Sequence, residues 1–352
     1  MTAEPRIRVL IVDDSAIVRK MLTEALAGET DLEVVGTAPD PFVARDKILS
    51  LRPDVVTLDI EMPRMDGLTF LKKLMRFHPL PVIVISSLAQ SSSQAALEAL
   101  QSGAVEVLAK PGGPYSVGEL RQDLPQKIRA AANARIGKSK PQAATPAPVR
   151  AVPLALGRAS SSTLIAIGAS TGGTEAIREV LMGLSQNTPG IVIVQHIPPV
   201  FSTAFANRLN EVCPLRVKEA ADGDRVLPGL ALIAPGNFHM TIRKTGGEYR
   251  VSIQDGPRVC YQRPSADVLF ESVAQAAKGD AIGAILTGMG SDGAQGLLQM
   301  KRAGARTLAQ DEASCVVFGM PREAIRLGAV DEVVPLNRIA AELIASSALV
   351  AR

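Results

Sequence analysis

Short apolar runs alternate with amphipathic stretches through most of the chain, and the alternation occurs twice. Before residue 130 the runs are "RVLIVDD", "EVVGTA", "DVVTLDI", "PVIVISS" and "AVEVLAK". After residue 163 they are "IAIGASTGG", "GIVIVQHI", "ALIAPG", "AIGAILTG" and "RTLAQD". Strands covered on both faces have no polar side to show, so such runs, spaced by helical patterns, specify parallel sheets with crossover helices. In "SAIVRKMLTEALAG", Ile17, Met21, Leu22 and Ala25 recur on one helical face. After Thr174, Ala176, Ile177, Val180, Leu181 and Leu184 do the same. "HMTIRK" and "YRVSIQD", around Gly246-Gly247, predict an inserted β-hairpin.

The two sets are separated by "KSKPQAATPAPVRAVPLALGRASSST", Lys138 to Thr163, rich in Pro, Ala and Ser and without periodicity. It reads as an extended, mobile linker. The expected organisation is a first domain over 1–130, a basic linker over 131–162 and a second domain over 163–352. The fold class is α/β, with two doubly wound parallel-sheet domains. The net charge of +3 sits in the linker region: no acid occurs between Asp123 and Glu175, a stretch with seven cations, and the remainder is net negative. With 3% aromatic residues there are also few stacking platforms, so a nucleic-acid surface is not indicated. No apolar stretch approaches bilayer length, and "MTAEPRIRVLIVDDS" carries acids where a signal peptide is apolar. The expectation is a soluble cytoplasmic monomer without membrane insertion. Cys213, Cys260 and Cys315 lie far apart, which argues against a disulfide framework or a structural zinc site.

Three of the first five runs end in reactive residue types: Asp13 and Asp14, Asp59, and Lys110. Ligands of an open parallel sheet gather at the carboxyl ends of its strands. Carboxylates meeting there repel unless a hard cation such as Mg²⁺ sits among them. One of them can then take up a phosphoryl group as an acyl phosphate, with Lys110 and Ser86 steadying its oxygens. Taken singly, Asp14 or Ser15 could equally cap the following helix. The set "VDDS", "LDIEMPRMDG", "VISS" and "AKPGG" resembles the receiver domain of response regulators, over roughly residues 5–130. The resemblance implies a flavodoxin-like fold with Asp59 as phosphoacceptor. It implies that Asp13, Asp14, Asp59 and the Glu61 carbonyl hold Mg²⁺, and that Ser86 and Lys110 form the switch. Val107 departs from the pattern, since many receivers carry an aromatic there.

"GASTG", Gly168 to Gly172, fits the G-x-S-x-G nucleophile elbow. Small neighbours leave the Ser170 hydroxyl open, and the N-terminus of the following helix suits a developing oxyanion. The motif alone is weak, because Ser-Thr-Gly-Gly is also good turn chemistry. The chain offers three histidines as base. His78 reads as a surface helix end and His239 as a turn or packing residue. His196 ends the next strand at the carboxyl edge. For the acid, Asp292 in "MGSDGAQG" leads over Asp267 and Asp311, since small residues leave room around it; its plain reading is a helix N-cap. "GMGSDG", Gly288 to Gly293, also fits G-x-G-x-x-G, with Asp311 and Glu312 about twenty residues on, as a dinucleotide fingerprint asks.

"IAIGASTGGTEAI", "VIVQHIPP", "APGNFHM", "RPSADVLFESVA" and "LTGMGSDGAQG" together resemble the catalytic domain of chemotaxis protein-glutamate methylesterases, across about 162–350. Receiver, linker and esterase follow in that family's order. The resemblance implies a Rossmann-like domain with catalytic Ser170, His196 and Asp292. Backbone N–H groups near Thr171 and Met289 are expected oxyanion donors. It implies methyl-accepting chemotaxis receptors as substrates, a receptor-coupled histidine kinase as phosphodonor, and deamidation of certain receptor glutamines. In that family the unphosphorylated receiver covers the active site. The esterase reaction needs no cofactor. The competing readings are an NAD-dependent enzyme using the Gly288 loop and a non-catalytic output domain.

Overall fold

The computed structural model describes residues 6–111, 117–136 and 163–350. The chain divides into two compact units that part near residue 137. Most of the expected linker, 137–162, lies outside the described residues.

The first unit runs β1 (Ile7–Val12), α1 (Ala16–Leu26), β2 (Leu32–Ala38), α2 (Pro41–Leu51), β3 (Val55–Asp59), α3 (Gly67–Phe77), β4 (Val82–Ser86), α4 (Gln90–Gln101), β5 (Glu106–Ala109) and α5 (Val117–Ala132). The five strands form one parallel sheet in the order β2-β1-β3-β4-β5. Strands β3, β4 and β5 are buried at every position, which is why they appear in the sequence as unbroken apolar runs. Strand order reverses between β1 and β3, so the loops after them open a crevice at the carboxyl edge. Ser15, rather than Asp14, caps α1. That helix buries Leu22, Ala25 and Leu26, whereas Ile17 is 73% exposed. Ile17 falls in the first turn, at the sheet's carboxyl edge, where there is no strand left to cover.

The second unit runs β6 (Leu164–Ala169), α6 (Gly173–Met182), β7 (Gly190–Gln195), α7 (Phe201–Val212), β8 (Arg216–Glu219), β9 (Leu230–Ile233), β10 (His239–Thr245), β11 (Glu248–Gln254), α8 (Ala266–Ala277), β12 (Ala281–Ile285), α9 (Ala294–Arg302), β13 (Arg306–Gln310), α10 (Met320–Arg326), β14 (Glu332–Val334) and α11 (Leu336–Val350). Seven strands form a parallel sheet, β14-β13-β12-β6-β7-β9-β8. Here the order reverses at β6, with β7 on one side and β12 on the other. The edge strands β8 and β14 were not legible as apolar runs, because both are only partly buried. The hairpin forms as expected, antiparallel from His239↔Gln254 to Thr245↔Glu248. It docks on α8, where Ile242 N–H donates to Ser272 Oγ at 2.9 Å. Helix α6 buries its predicted face of Ala176, Ile177, Val180 and Leu181. Among the described residues, no helix is long and apolar enough to cross a membrane.

Candidate active sites

Each unit gathers polar groups at the edge its topology predicts. In the first, Asp13 follows β1, Asp59 ends β3, and Lys110 follows β5. Lys110 Nζ lies 2.7 Å from Asp59 Oδ2 and 3.3 Å from Asp13 Oδ2. Asp59 Oδ1 accepts from the Glu61 N–H at 3.0 Å, and Asp13 Oδ1 accepts from the Ser15 N–H at 2.8 Å. Carboxylate oxygens of Asp13, Asp14 and Asp59 lie within 4.8 Å of one another. Asp13 Oδ2 is itself buried, with the Lys110 ammonium beside it. Burial pushes the Asp59 carboxyl up to about 6, against the pull of Lys110, and Asp13 adds to the rise by repulsion. Burial also raises Asp13. Ser86 is buried at the end of β4, and its hydroxyl is turned to the Ser92 carbonyl at 3.4 Å rather than to Asp59. The Glu61 carboxylate accepts from the hydroxyls of Ser92 and Ser87. Val107 is buried within β5.

An acid whose folded pKa exceeds its unfolded value of 3.8 favours the fold while protonated. That contribution is complete below about pH 4 and is lost as pH rises through about 6. Asp59→Asn should therefore stabilise the first unit at pH 8 by about 1–3 kcal/mol, at about 1.4 kcal/mol per pKa unit. It should do little at pH 4.5, where the native Asp59 is already largely neutral. Calorimetric melting of the whole chain at both pH values checks this; a lower melting temperature for the variant at pH 8 would contradict it.

In the second unit, Ala169 of β6 pairs with Gln195 of β7. Ser170 and His196 are the next residue after each, and the His196 N–H donates to the Ala169 carbonyl at 3.1 Å. The Ser170 loop turns sharply: Ser170 N–H donates to Thr287 O at 3.0 Å, and Gly173 N–H to Ser170 O at 2.6 Å. Gly172 makes the turn at φ +77, with the Val316 side chain where a Cβ would point, so only glycine fits. Asp292 lies on the loop after β12 and is 2% exposed. His196 Nε2 is 2.7 Å from Asp292 Oδ2. A neutral imidazole that gives its Nε2 proton to the carboxylate leaves Nδ1 as a lone pair. That Nδ1 is buried and has no partner among the described residues. Nucleophile–base bonds commonly tighten only with substrate in place.

Asp292 caps no residue of α9, whose N-cap is Gly293. It sits instead at the N-terminus of α8. Its Oδ2 accepts from the Ala266 N–H at 2.7 Å, and its Oδ1 from Ser265 Oγ at 2.6 Å and the Asp267 N–H at 3.1 Å. Burial works against ionisation, but these bonds and His196 outweigh it, so Asp292 stays below the usual carboxylate range. Asp267 is different: burial first, with repulsion from Asp292, pushes it up to about 6. Cys260 Sγ is 3.7 Å from Asp267 Oδ2, and burial first, then the acids beside it, pushes its thiol up to about 11. Cys260, Asp267 and Asp292 lie close enough together to suggest a metal centre. A protonated thiol beside a carboxylate with four donors already bound does not make one.

Further polar residues hold the site and were not singled out in the sequence. Gln195 Nε2 donates to Ser170 O at 2.9 Å, and Thr287 Oγ1 to Thr171 O at 3.0 Å. Gln310 Oε1 accepts from the Thr287 N–H at 2.8 Å. Their one sequence signal is a polar residue ending an apolar strand or just beyond it. Thr171 is buried beside Ser170, and Met289 is half-buried after Gly288. His78 is an exposed helix end, as expected. His239 opens β10 and takes a packing role, with Nε2 on the Pro257 carbonyl at 2.9 Å. The glycine-rich Gly288 loop is bound to its own chain: Gly288 N–H donates to Val317 O, and Gly288 O accepts from Gly319 and Met320. Asp311, the acid a ribose would need, accepts from the N–H and hydroxyl of Ser314. The first glycine of the fingerprint and the acid that would bind the ribose are thus both engaged within the chain.

Residues 165–343 match the CheB methylesterase family model, and residues 9–122 match the response regulator receiver domain. The chain is 58% identical over 339 residues to a protein-glutamate methylesterase/protein-glutamine glutaminase 2 of Syntrophus aciditrophicus, covering 96% of this chain and 98% of that one. It is 54% identical over 342 residues to the protein-glutamate methylesterase/protein-glutamine glutaminase of Escherichia coli K12, covering 97% of each. The crystal structure of the Thermotoga maritima CheB methylesterase catalytic domain covers 52% of this chain and 97% of its own, with 38% identity and a TM-score of 0.51. With both domain types in the same chain and relatives matched end to end, the protein belongs to the CheB methylesterase family.

Proposed function

We propose that the chain is a phosphorylation-regulated serine hydrolase that removes methyl groups from glutamate γ-methyl esters of chemotaxis receptors. The observation that carries this is the 2.7 Å bond between His196 and Asp292, with Ser170 and His196 set side by side as the residues that follow the paired ends of β6 and β7. Ser170 Oγ attacks the ester carbonyl as His196 Nδ1 takes its proton. Asp292, held ionised by its four donors, stabilises the imidazolium. The tetrahedral oxyanion is assigned to the backbone N–H groups of Thr171 and Met289. The imidazolium then protonates the leaving methoxide, methanol departs, and water repeats the sequence on the acyl-enzyme to free a glutamate. A glutamine side chain follows the same path with ammonia as the leaving group.

The first unit, assigned to 1–130, is the regulatory half, and 163–352 the hydrolase. Asp59 attacks a phosphohistidine of a receptor-coupled kinase; the P–N bond breaks and an acyl phosphate forms. With a pKa of about 6 Asp59 is mostly ionised at neutral pH and can act as nucleophile. Asp13, Asp14, Asp59 and the Glu61 carbonyl would hold Mg²⁺, which neutralises charge as the phosphoryl group approaches. The crowding of three carboxylates, two of them buried and sharing Lys110, fits such an ion. Lys110 bonds Asp59 and steadies the phosphoryl oxygens, and Ser86 must turn from Ser92 to join it. The chain acts at the cytoplasmic face of the receptors.

The test is release of volatile radioactivity from receptor-bearing membranes carrying methyl-labelled glutamates. The chain, given acetyl phosphate and Mg²⁺, should release labelled methanol. Release no faster than from membranes alone would overturn the reading.

A further inference from the structure

We infer that Ser265 is a positioning residue of the hydrolase, holding Asp292 so that it orients His196; this rests on the assignment of Ser170, His196 and Asp292 above. Ser265 precedes α8 and is completely buried. Its plain role is to cap that helix, yet the two bonds of its hydroxyl are unequal. The capping bond, accepted from the Val268 N–H, is 3.4 Å; the bond donated to Asp292 Oδ1 is 2.6 Å. A hydroxyl donating to a carboxylate at that length makes a charge-assisted bond, roughly twice as strong as a neutral one. The hydroxyl therefore serves Asp292 more than its own helix.

Ser265 is itself held. His239 Nε2 donates to the Pro257 carbonyl at 2.9 Å, which leaves Nδ1 to accept the Ser265 N–H at 3.3 Å. The α8 start and the Asp292 loop are also pressed together. A Cβ on Gly296 of α9 would lie 2.7 Å from the Asp267 carbonyl oxygen, so glycine alone permits this approach. The Gly296 N–H donates to Asp267 Oδ1 at 2.7 Å across the same gap. Asp292 thus lies in a cradle of fixed donors at a helix N-terminus, where a negative charge is favoured. Without the Ser265 hydroxyl, Oδ1 keeps only the longer bond from Asp267. The carboxylate can then rotate about Cβ–Cγ and carry Oδ2 away from His196.

The experiment compares Ser265→Ala, Ser265→Gly and Ser265→Thr in the whole chain after phosphorylation. Glycine retains most of the N-cap stability but has no hydroxyl, whereas threonine keeps the hydroxyl. Alanine and glycine should each lower kcat about 10- to 100-fold, the effect of losing one charge-assisted bond, with KM within about two-fold. Threonine should recover turnover to within about three-fold. The second readout is the His196 Nε2 proton by NMR of chain labelled at histidine. It should give a downfield, protected signal in the native chain and Ser265→Thr that is lost or moved upfield in Ser265→Ala and Ser265→Gly. That signal needs neither substrate nor Ser170, so it reports on Ser265 even if Ser170→Ala proves fully active and the hydrolase assignment fails. Native kcat in Ser265→Gly with an unchanged His196 signal would make Ser265 a helix cap only and overturn the inference, as would a loss confined to KM.

Discussion

Ser170→Ala is expected to lower kcat for methanol release by about 10⁴–10⁶, the scale seen when one member of a cooperating set is removed. His196→Ala should do nearly as much, because the serine hydroxyl is a poor nucleophile without a base beside it. The alanine variant at 170 should fold and melt as the native chain does. Among the described residues the Ser170 hydroxyl makes no hydrogen bond that the fold needs; the backbone bonds to Thr287 and Gly173 carry the turn. Single-turnover kinetics, with melting curves as control, separates lost chemistry from lost structure. His239 provides the contrast: its two ring nitrogens are already committed to Pro257 and Ser265. Near-native turnover in His196→Ala with abolition in His239→Ala would show that the base is misassigned.

Asp292→Asn should lower kcat by about 10³–10⁴, as loss of the orienting carboxylate does in the serine-hydrolase template. The geometry gives the reason. Asp292 receives four donors, two on each oxygen. An asparagine offers one acceptor oxygen, and its NH₂ would face donors wherever it is turned. Either His196 or the start of α8 loses its partner, so the variant should also be destabilised by about 1–3 kcal/mol. Asp267→Asn should lower kcat less than about ten-fold. Asp267 bonds Gly296 and Cys260 rather than His196, and neutralising it relieves repulsion on Asp292. Measured kcat and melting temperature of the two variants decide the matter; a greater loss in Asp267→Asn than in Asp292→Asn would reverse the assignment.

The sequence revealed these features to unequal degrees, for physical reasons. Strands β1, β3, β4, β6, β7, β9, β12 and β13 read as apolar runs because they lie inside their sheets, and the edge strand β5 because it is buried at every position. The edge strand β2 is only partly buried but keeps Leu32, Val34 and Val35, whereas β8 and β14 are partly buried edges whose burial no longer dictates composition. Ser170, His196, Asp13 and Asp59 stood out because each is a polar residue ending an apolar run. Gln195, Thr287 and Gln310 share that position and Ser265 does not, but the roles of all four stayed hidden, since their partners lie 25, 116, 23 and 27 residues away and no local pattern records the pairing. The same holds for the helix that Asp292 serves: proximity in sequence suggested α9, and the fold supplies α8. Which ring nitrogen of His196 meets the acid is likewise set by tertiary structure alone.

The central claim is that phosphorylation at Asp59 controls hydrolysis at Ser170. A tether between two domains raises the local concentration of one at the other, so a modest change in docking can govern activity. A shift of about 1–3 kcal/mol changes activity roughly 5- to 150-fold. The decisive measurement is the rate of methanol release by the whole chain with and without acetyl phosphate and Mg²⁺, alongside Asp59→Asn and the fragment 163–352. The account predicts a rise within that range for the native chain and none for Asp59→Asn. The fragment should exceed the unphosphorylated chain without any phosphodonor. Equal rates for the native chain in both conditions and for the fragment would contradict it.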